Sequence, residues 1–285
     1  MIVRKTVVSG ENGFYPSNRK KLIKIIEDSF LSSIGPGRLP EKYIPTNKKI
    51  FGLIVPHAGL MFSGHEAAHS YLKLYETKLP KTIILIGPNH RGLGETISIY
   101  KGESWDTPLG NIEIDKKLTD EILSYPLFSE DNSSHMFEHS LEVQLPFIKY
   151  IYEKANLNPK IVAISLINQD LETCKKIGEC LNSIIKDRED VILIASSDFS
   201  HYVPINFAKK YDILAIDEIL NFNYREFYKK IDEYSLSICG VGPITAVTRY
   251  SQLSGSTGGI LLKYGTSGDV IPHKEVVGYG AVVFL

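Results

Sequence analysis

Two histidines close strand-like runs in this chain. His57 follows Phe51, Gly52, Leu53, Ile54, Val55 and Pro56, and His90 follows Thr82, Ile83, Ile84, Leu85, Ile86, Gly87, Pro88 and Asn89. Each run is an apolar strand emptying into a proline turn that carries an imidazole. Two such strands in one sheet deliver two metal-binding nitrogens to its carboxyl end, where open α/β sheets build their sites. A third apolar run, 191–195, empties into Ser196, Ser197, Asp198, Phe199, Ser200, His201 and Tyr202. An acid and an imidazole at that spacing can pair, the carboxylate fixing the histidine tautomer for general acid/base or metal chemistry. The plainer alternative is a helix cap beside a surface histidine. Cys239 lies in Ser237, Ile238, Cys239, Gly240, Val241, Gly242 and Pro243, just ahead of a helical pattern that starts near Ile244. A helix N-terminus favours a thiolate through its dipole and free N–H groups, which suits a soft metal ligand or a nucleophile.

Other groups compete with this set. Glu138, His139 and Glu142 open a helical pattern, with His139 and Glu142 on one face, either to exchange protons beside a metal or to cap the helix. His65, Glu66, Ala67, Ala68 and His69 form a literal HExxH, in which two imidazoles one turn apart can hold zinc while the glutamate acts as general base. Its helix begins soon after His57, Ala67, Ala68, Tyr71, Leu72 and Tyr75 read as packing positions, and no further ligand follows at a zincin-like spacing. The strand-end set is therefore preferred. Cys174 and Cys180, within one helical pattern, read as structural. The glycines at 255–259 and 265–268 lack the order of a phosphate-binding loop and read as turns.

The elements that must position these groups alternate along the chain. Strand-like runs occupy 50–55, 82–86, 160–167, 191–195, 259–264 and 276–284, most of them continuously apolar, as strands buried on both faces are. Helical patterns occupy 18–31, 64–76, 115–125, 138–155, 171–185, 207–222 and 244–253. This order predicts an α/β protein, a single layered domain over 1–285 with a mostly parallel or mixed central sheet flanked by helices. The loops at 35–45 and 130–137 are the least regular segments, and no internal repeat or low-complexity linker divides the chain.

Composition excludes some classes of function. With 43% hydrophobic residues, 23% charged residues and a formal net charge of -1, the chain has ample core material and no electrostatic attraction toward nucleic acid. No apolar stretch approaches the about 20 residues that span a bilayer. The Met1 end has two basic residues without an apolar run behind them. These features predict no membrane partner and a cytoplasmic location. Three scattered cysteines exclude a disulfide framework.

Six blocks in order carry a family resemblance: VPHAG at 55–59, IGPNH at 86–90, WDTPLG at 105–110, EHSLEVQLPF at 138–147, SSDFSHY at 196–202, and CG at 239–240. Across nearly its whole length the chain resembles the Memo family, whose fold is similar to that of the class III extradiol dioxygenases. The HExxH positions are not part of that signature. The resemblance implies that His57, His90 and Cys239 surround a metal position, that Asp198 and His201 line the same pocket, and that His139 joins its wall. Extradiol dioxygenases hold iron with two histidines and a carboxylate, whereas here Cys239 takes the third place, a softer and oxidisable ligand. The expectation is one metal ion, iron first with copper or zinc as alternatives. Asp198 is expected to orient His201, and His201 and His139 to serve as acid/base groups in redox chemistry on a small molecule. The competing readings are a non-catalytic protein that binds a peptide or a metal, and a zinc-dependent hydrolase. The residues leave the oligomeric state open.

Overall fold

The apolar runs become the parallel centre of a sheet whose two faces are both covered. In the computed structural model, which describes residues 2–285, the strands in chain order are β1 (Val3–Arg4), β2 (Gly52–Val55), β3 (Thr82–Pro88), β4 (Ile97–Ile99), β5 (Ser104–Trp105), β6 (Ile112–Ile114), β7 (Ser129–Glu130), β8 (Lys160–Leu166), β9 (Val191–Ser196), β10 (Val203–Pro204), β11 (Gly259–Thr266), β12 (Glu275–Val276) and β13 (Gly278–Phe284). Eleven of them form one sheet with the path β1-β5-β6-β8-β3-β9-β2-β13-β11, β4 pairing with β8 and β7 beside it, while β10 and β12 make a separate small ribbon. The run β6-β8-β3-β9-β2 is parallel, and β13 and β11 extend it antiparallel. The sheet is thus mixed, around a parallel core.

The helices are α1 (Arg19–Leu31), α2 (Leu60–Tyr75), α3 (Lys116–Leu123), α4 (Ser133–Met136), α5 (Leu145–Lys154), α6 (Leu171–Ile185), α7 (Ile205–Leu220), α8 (Tyr224–Tyr234) and α9 (Val241–Leu253). Alternate residues of β3 divide between two cores. Ile83 and Leu85 pack with Leu22, Ile26, Tyr71 and Ile148 from α1, α2 and α5, whereas Ile84 and Ile86 pack with Leu118, Ile177, Ile216 and Val247 from α3, α6, α7 and α9. Each buried Ile or Leu contributes about 1.5–3 kcal/mol relative to exposure. Asn18, Asp115 and Asp170 start α1, α3 and α6 by accepting backbone N–H bonds of the first turn, as N-caps do.

Three expectations are corrected by the structure. The helical pattern at 138–155 breaks in two: Glu138 to Leu141 is a turn, a 3₁₀ segment covers Glu142–Gln144, and α5 starts at Leu145 with Pro146 in its first turn. The run 276–284 also divides, Glu275–Val276 leaving the main sheet to pair with β10. α8 follows α7 where no helix was expected; it fully buries only Phe227, with Tyr228, Ile231 and Tyr234 half-buried beneath a charged outer face.

Candidate metal centre

β3, β9 and β2 are adjacent and parallel, with Ile86 opposite Ala195 and Val55 opposite Ser196. Their carboxyl ends are therefore level, and the residues that follow them, His57, His90 and Asp198, are carried to one edge of the sheet. Cys239 arrives from the loop between α8 and α9. Among the described residues, His57, His90 and Cys239 form a group whose potential ligand atoms all lie within 4.8 Å of one another. Cys239 Sγ stands 3.3 Å from His57 Nε2.

The surrounding hydrogen bonds set the histidine tautomers. The Ser196 hydroxyl donates to the Ser140 carbonyl at 2.6 Å and accepts from Gln144 Nε2 at 2.8 Å. With its single proton committed, Ser196 Oγ can only accept from His57 Nδ1, 3.0 Å away. His57 Nε2 is left with its lone pair toward Cys239. His90 Nδ1 lies 2.9 Å from Glu138 Oε1, and an ionised carboxylate only accepts, so the His90 Nδ1 carries a proton and the neutral form of the ring keeps Nε2 free. Two imidazoles that offer Nε2 in their neutral forms, together with a thiol, make a borderline-to-soft donor set of the kind that suits iron, copper or zinc. By this criterion the residues fit a transition-metal ion.

Glu138 belongs behind the ligands. Its Oε2 accepts from His90 N at 2.6 Å, while Oε1 accepts from His139 N and Ser140 N, each at 2.8 Å, in addition to His90 Nδ1. A second group of nearby ligand atoms, His90, Glu138 and His139, therefore has its carboxylate already saturated by N–H donors. Burial pushes the Glu138 carboxyl up, but the His90 bond and the neighbouring imidazoles outweigh it and bring it down to about 2. Gly87 makes the approach possible, because a Cβ there would stand 2.7 Å from Leu141 and 2.8 Å from Ser140 Oγ. The His139 ring stacks on His90 at 4.4 Å and meets Phe14 at 4.6 Å. Burial lowers His139 to about 4 against the pull of Glu138, and it lowers His57 well below 6.5, with the charges of His139 and His90 adding to the effect. Burial, aided by the Asp198 charge, pushes the Cys239 thiol up.

Asp198 does not orient His201 as expected. Its Oδ1 accepts from His57 N at 2.7 Å and Ala58 N at 3.3 Å, fastening the turn that presents His57. Burial raises Asp198 to about 6 against the influence of the neighbouring His201 and these two N–H donors. His201 is oriented instead by Ser237: its Nδ1–H donates to the Ser237 carbonyl at 2.7 Å, and its backbone N–H donates to Ser237 Oγ at 2.7 Å. The loop that carries Cys239 thus also aims His201. The following Tyr202 takes φ of 55° and is 75% exposed, a left-handed turn uncommon for a bulky residue.

Glu142, expected on one face with His139, turns away. It is buried, pairs with Arg4 at 2.5 Å, and accepts from Tyr15 Oη at 2.7 Å and from Val7 N and Val8 N. Arg4 in turn donates to the carbonyls of His135 and Glu138 at 2.7 and 2.6 Å, so the first strand braces the loop behind His90. The HExxH residues face elsewhere. His65 Nδ1 pairs with Ser32 Oγ at 2.8 Å, and His69 Nε2–H donates to the Ile34 carbonyl at 3.2 Å. Glu66 is buried against β11, where a Cβ on Gly265 would lie 2.1 Å from its Oε1, and burial pushes its carboxyl up to about 8. A cavity of about 330 Å³ lined by Thr46, Lys49, Ile50, Thr77 and Ile192 sits at the opposite, amino end of the strands and gathers no ligating cluster.

Several contributors carried no motif of their own. Ser196, Gln144 and Asp212 are buried polar residues, and Ser237 is exposed. Ser196 and Gln144 stood inside the blocks at 196–202 and 138–147 without an assigned role, and Ser237 and Asp212 gave no signal. Asp212, on α7, accepts from Ser200 Oγ and from Tyr264 Oη at 2.7 Å and pins the turn between Asp198 and His201.

Comparison with known proteins decides the family. A family model described as "Memo-like protein" matches residues 4–283. The chain belongs to the Memo family. It is 38% identical to a "MEMO1 family protein" of Methanopyrus kandleri over 99% of this chain and 98% of that one. A "MEMO1 family protein" of Aquifex aeolicus is 37% identical, with both chains covered in full. Among solved structures, an uncharacterized protein from Escherichia coli K12 has the same fold with a TM-score of 0.56 at 14% identity, covering 83% of this chain and all of that one. This Memo-family protein has no helix long and apolar enough to cross a membrane among its described residues.

Proposed function

We propose that this Memo-family protein binds one transition-metal ion, iron first with copper or zinc as alternatives, through His57, His90 and Cys239, and acts on a small molecule at that position. The observation that carries the reading is the 4.8 Å gathering of the three ligand atoms, with the Nδ1 atoms of the two imidazoles engaged by Ser196 Oγ and Glu138 Oε1 and their Nε2 atoms left to the shared space. A bound ion supplies redox and Lewis-acid chemistry there. The chain's own residues do the rest. His201, held by Ser237, takes or gives a proton at its Nε2. Asp198 keeps the His57 turn in place and contributes negative charge beside the ligands. His139, neutral near pH 7 because burial lowers it to about 4, lines the wall and can accept a proton or a hydrogen bond from a bound molecule. The free state of all three cysteines supports a reducing compartment, and we propose the cytoplasm.

The test is elemental mass spectrometry on protein purified without oxygen, for wild type, Cys239→Ala and the double variant His65→Ala, His69→Ala. The reading expects near-stoichiometric metal in wild type and in the double variant, and a loss in Cys239→Ala. Metal lost only from the double variant would move the site to α2, and no metal in any sample would favour a binding protein without turnover.

A further inference from the structure

Cys239 lies on a loop, and a loop alone does not hold a sulfur atom against a buried imidazole. Two clamps do so here. On one side Ser197 Oγ accepts from Gly240 N at 3.0 Å, and Asp198 N donates to Cys239 Sγ at 3.3 Å. On the other side stands Gln169, in the turn that follows β8. Its Nε2 donates to the Cys239 carbonyl at 3.0 Å and its Oε1 accepts from Gly242 N at 2.8 Å. Gly240, the N-cap of α9, has no side chain to satisfy the free N–H groups of the first turn. The Gln169 amide supplies that missing acceptor from another element and, with its other end, ties the residue before the cap. Tyr228 Oη holds the Gln169 carbonyl at 2.8 Å, so the glutamine is itself anchored by α8. The fit is close, since a Cβ on Gly242 would lie 3.0 Å from Gln169 Cγ.

We propose that Gln169 is a positioning residue for Cys239, coupling the carboxyl end of β8 to the sulfur ligand through both halves of one amide. The proposal rests on the metal reading above for its purpose, but the geometry of the clamp is independent of it. The two halves separate chemically. In Gln169→Glu a carboxylate oxygen can still accept from Gly242 N, while the other oxygen faces the Cys239 carbonyl without a proton to donate. Gln169→Ala loses both bonds.

The test uses full-length protein freed of metal, titrated with cobalt(II) without oxygen, with the thiolate-to-cobalt charge-transfer absorption read per bound ion. In parallel, the alkylation rate of Cys239 in the metal-free protein is read by peptide mass spectrometry, which separates it from Cys174 and Cys180. Asn182→Ala, which removes a 2.9 Å bond to Ser254 at the far end of α9, controls for general loosening of that helix. Expected in Gln169→Ala and Gln169→Glu are a charge-transfer band reduced at least about 3-fold, cobalt affinity weakened about 10-fold, as for other outer-shell partners, and Cys239 alkylation about 10-fold faster, with Asn182→Ala like wild type. Wild-type values in Gln169→Ala, or equal losses in Asn182→Ala, would overturn the proposal. Wild-type values in Gln169→Glu alone would reduce the glutamine to a helix cap and overturn the tie to Cys239. If wild type shows no charge-transfer band, Cys239 is not a ligand and the metal reading fails. The alkylation rates then decide the clamp by themselves, a rate unchanged by both Gln169 variants refuting it.

Discussion

The stretch from β2 through α2 carries two sets of histidines, and they spend their nitrogens differently. At the end of β2, His57 gives its Nδ1 proton to Ser196 and keeps Nε2 for the space shared with Cys239. On α2, His65 and His69 use ring nitrogens on Ser32 and Ile34, in the loop that leaves α1. The helical spacing does set the two imidazoles side by side, as HExxH requires. It does not choose which face the helix presents, and here Ala67, Ala68 and Tyr71 take the core while the imidazoles serve as ties between helices. Strand ends leave less freedom, because the parallel ladder from β3 through β9 to β2 levels them whatever the surrounding helices do.

The contrast can be broken most decisively at the ligands. His57→Ala or His90→Ala is expected to reduce bound metal to background by elemental mass spectrometry, and retention of metal in either would dissolve the distinction. Next comes Glu138→Gln, which keeps acceptor capacity but removes the charge behind His90 and places an NH₂ group among N–H donors. Metal affinity in a competition titration should fall about 10–100-fold. Ser196→Ala leaves His57 Nδ1 and Gln144 Nε2 short of an acceptor and should lower unfolding free energy by about 1–3 kcal/mol in urea titrations.

The smallest effect is expected on α2. Burial lowers His65 and His69 below the ordinary 6.5. Between those lowered values and 6.5 the unfolded chain binds more protons than the folded one, so their contribution is complete above 6.5 and is lost as pH falls. His65→Gln with His69→Gln should therefore leave metal content unchanged and flatten the decline of urea midpoints between pH 7 and pH 5. A steeper decline would show that the two imidazoles gain, rather than lose, basicity on folding.

Much of the site was legible because strand ends announce themselves: a continuous apolar run, a proline turn, then a polar side chain. His57, His90 and Asp198 are found that way, and Cys239 by its place before α9. The role of Asp198 was not legible, since its partners are backbone N–H groups of a turn 140 residues or more away in sequence. The same holds for Arg4 and Glu142, whose pairing spans 138 residues. The false helix start at Glu138 had a visible signal, Pro146, which belongs in a first turn and places the beginning of α5. The short strands β4 to β7 had none, being two or three residues long and defined by their partners. α8 was hidden because six of its eleven residues are charged and its apolar side is mostly tyrosine, which a search for aliphatic runs passes over.

The contact between His57 and Cys239 joins positions 182 residues apart. A chain emerging from synthesis meets its first histidine early and its cysteine only when α9 is about to form, and closing so long a loop is slow and entropically costly. Partly made or partly folded protein therefore offers an ion only scattered single ligands. On the proposed reading an ion would be taken up last, so that loading would certify a finished fold.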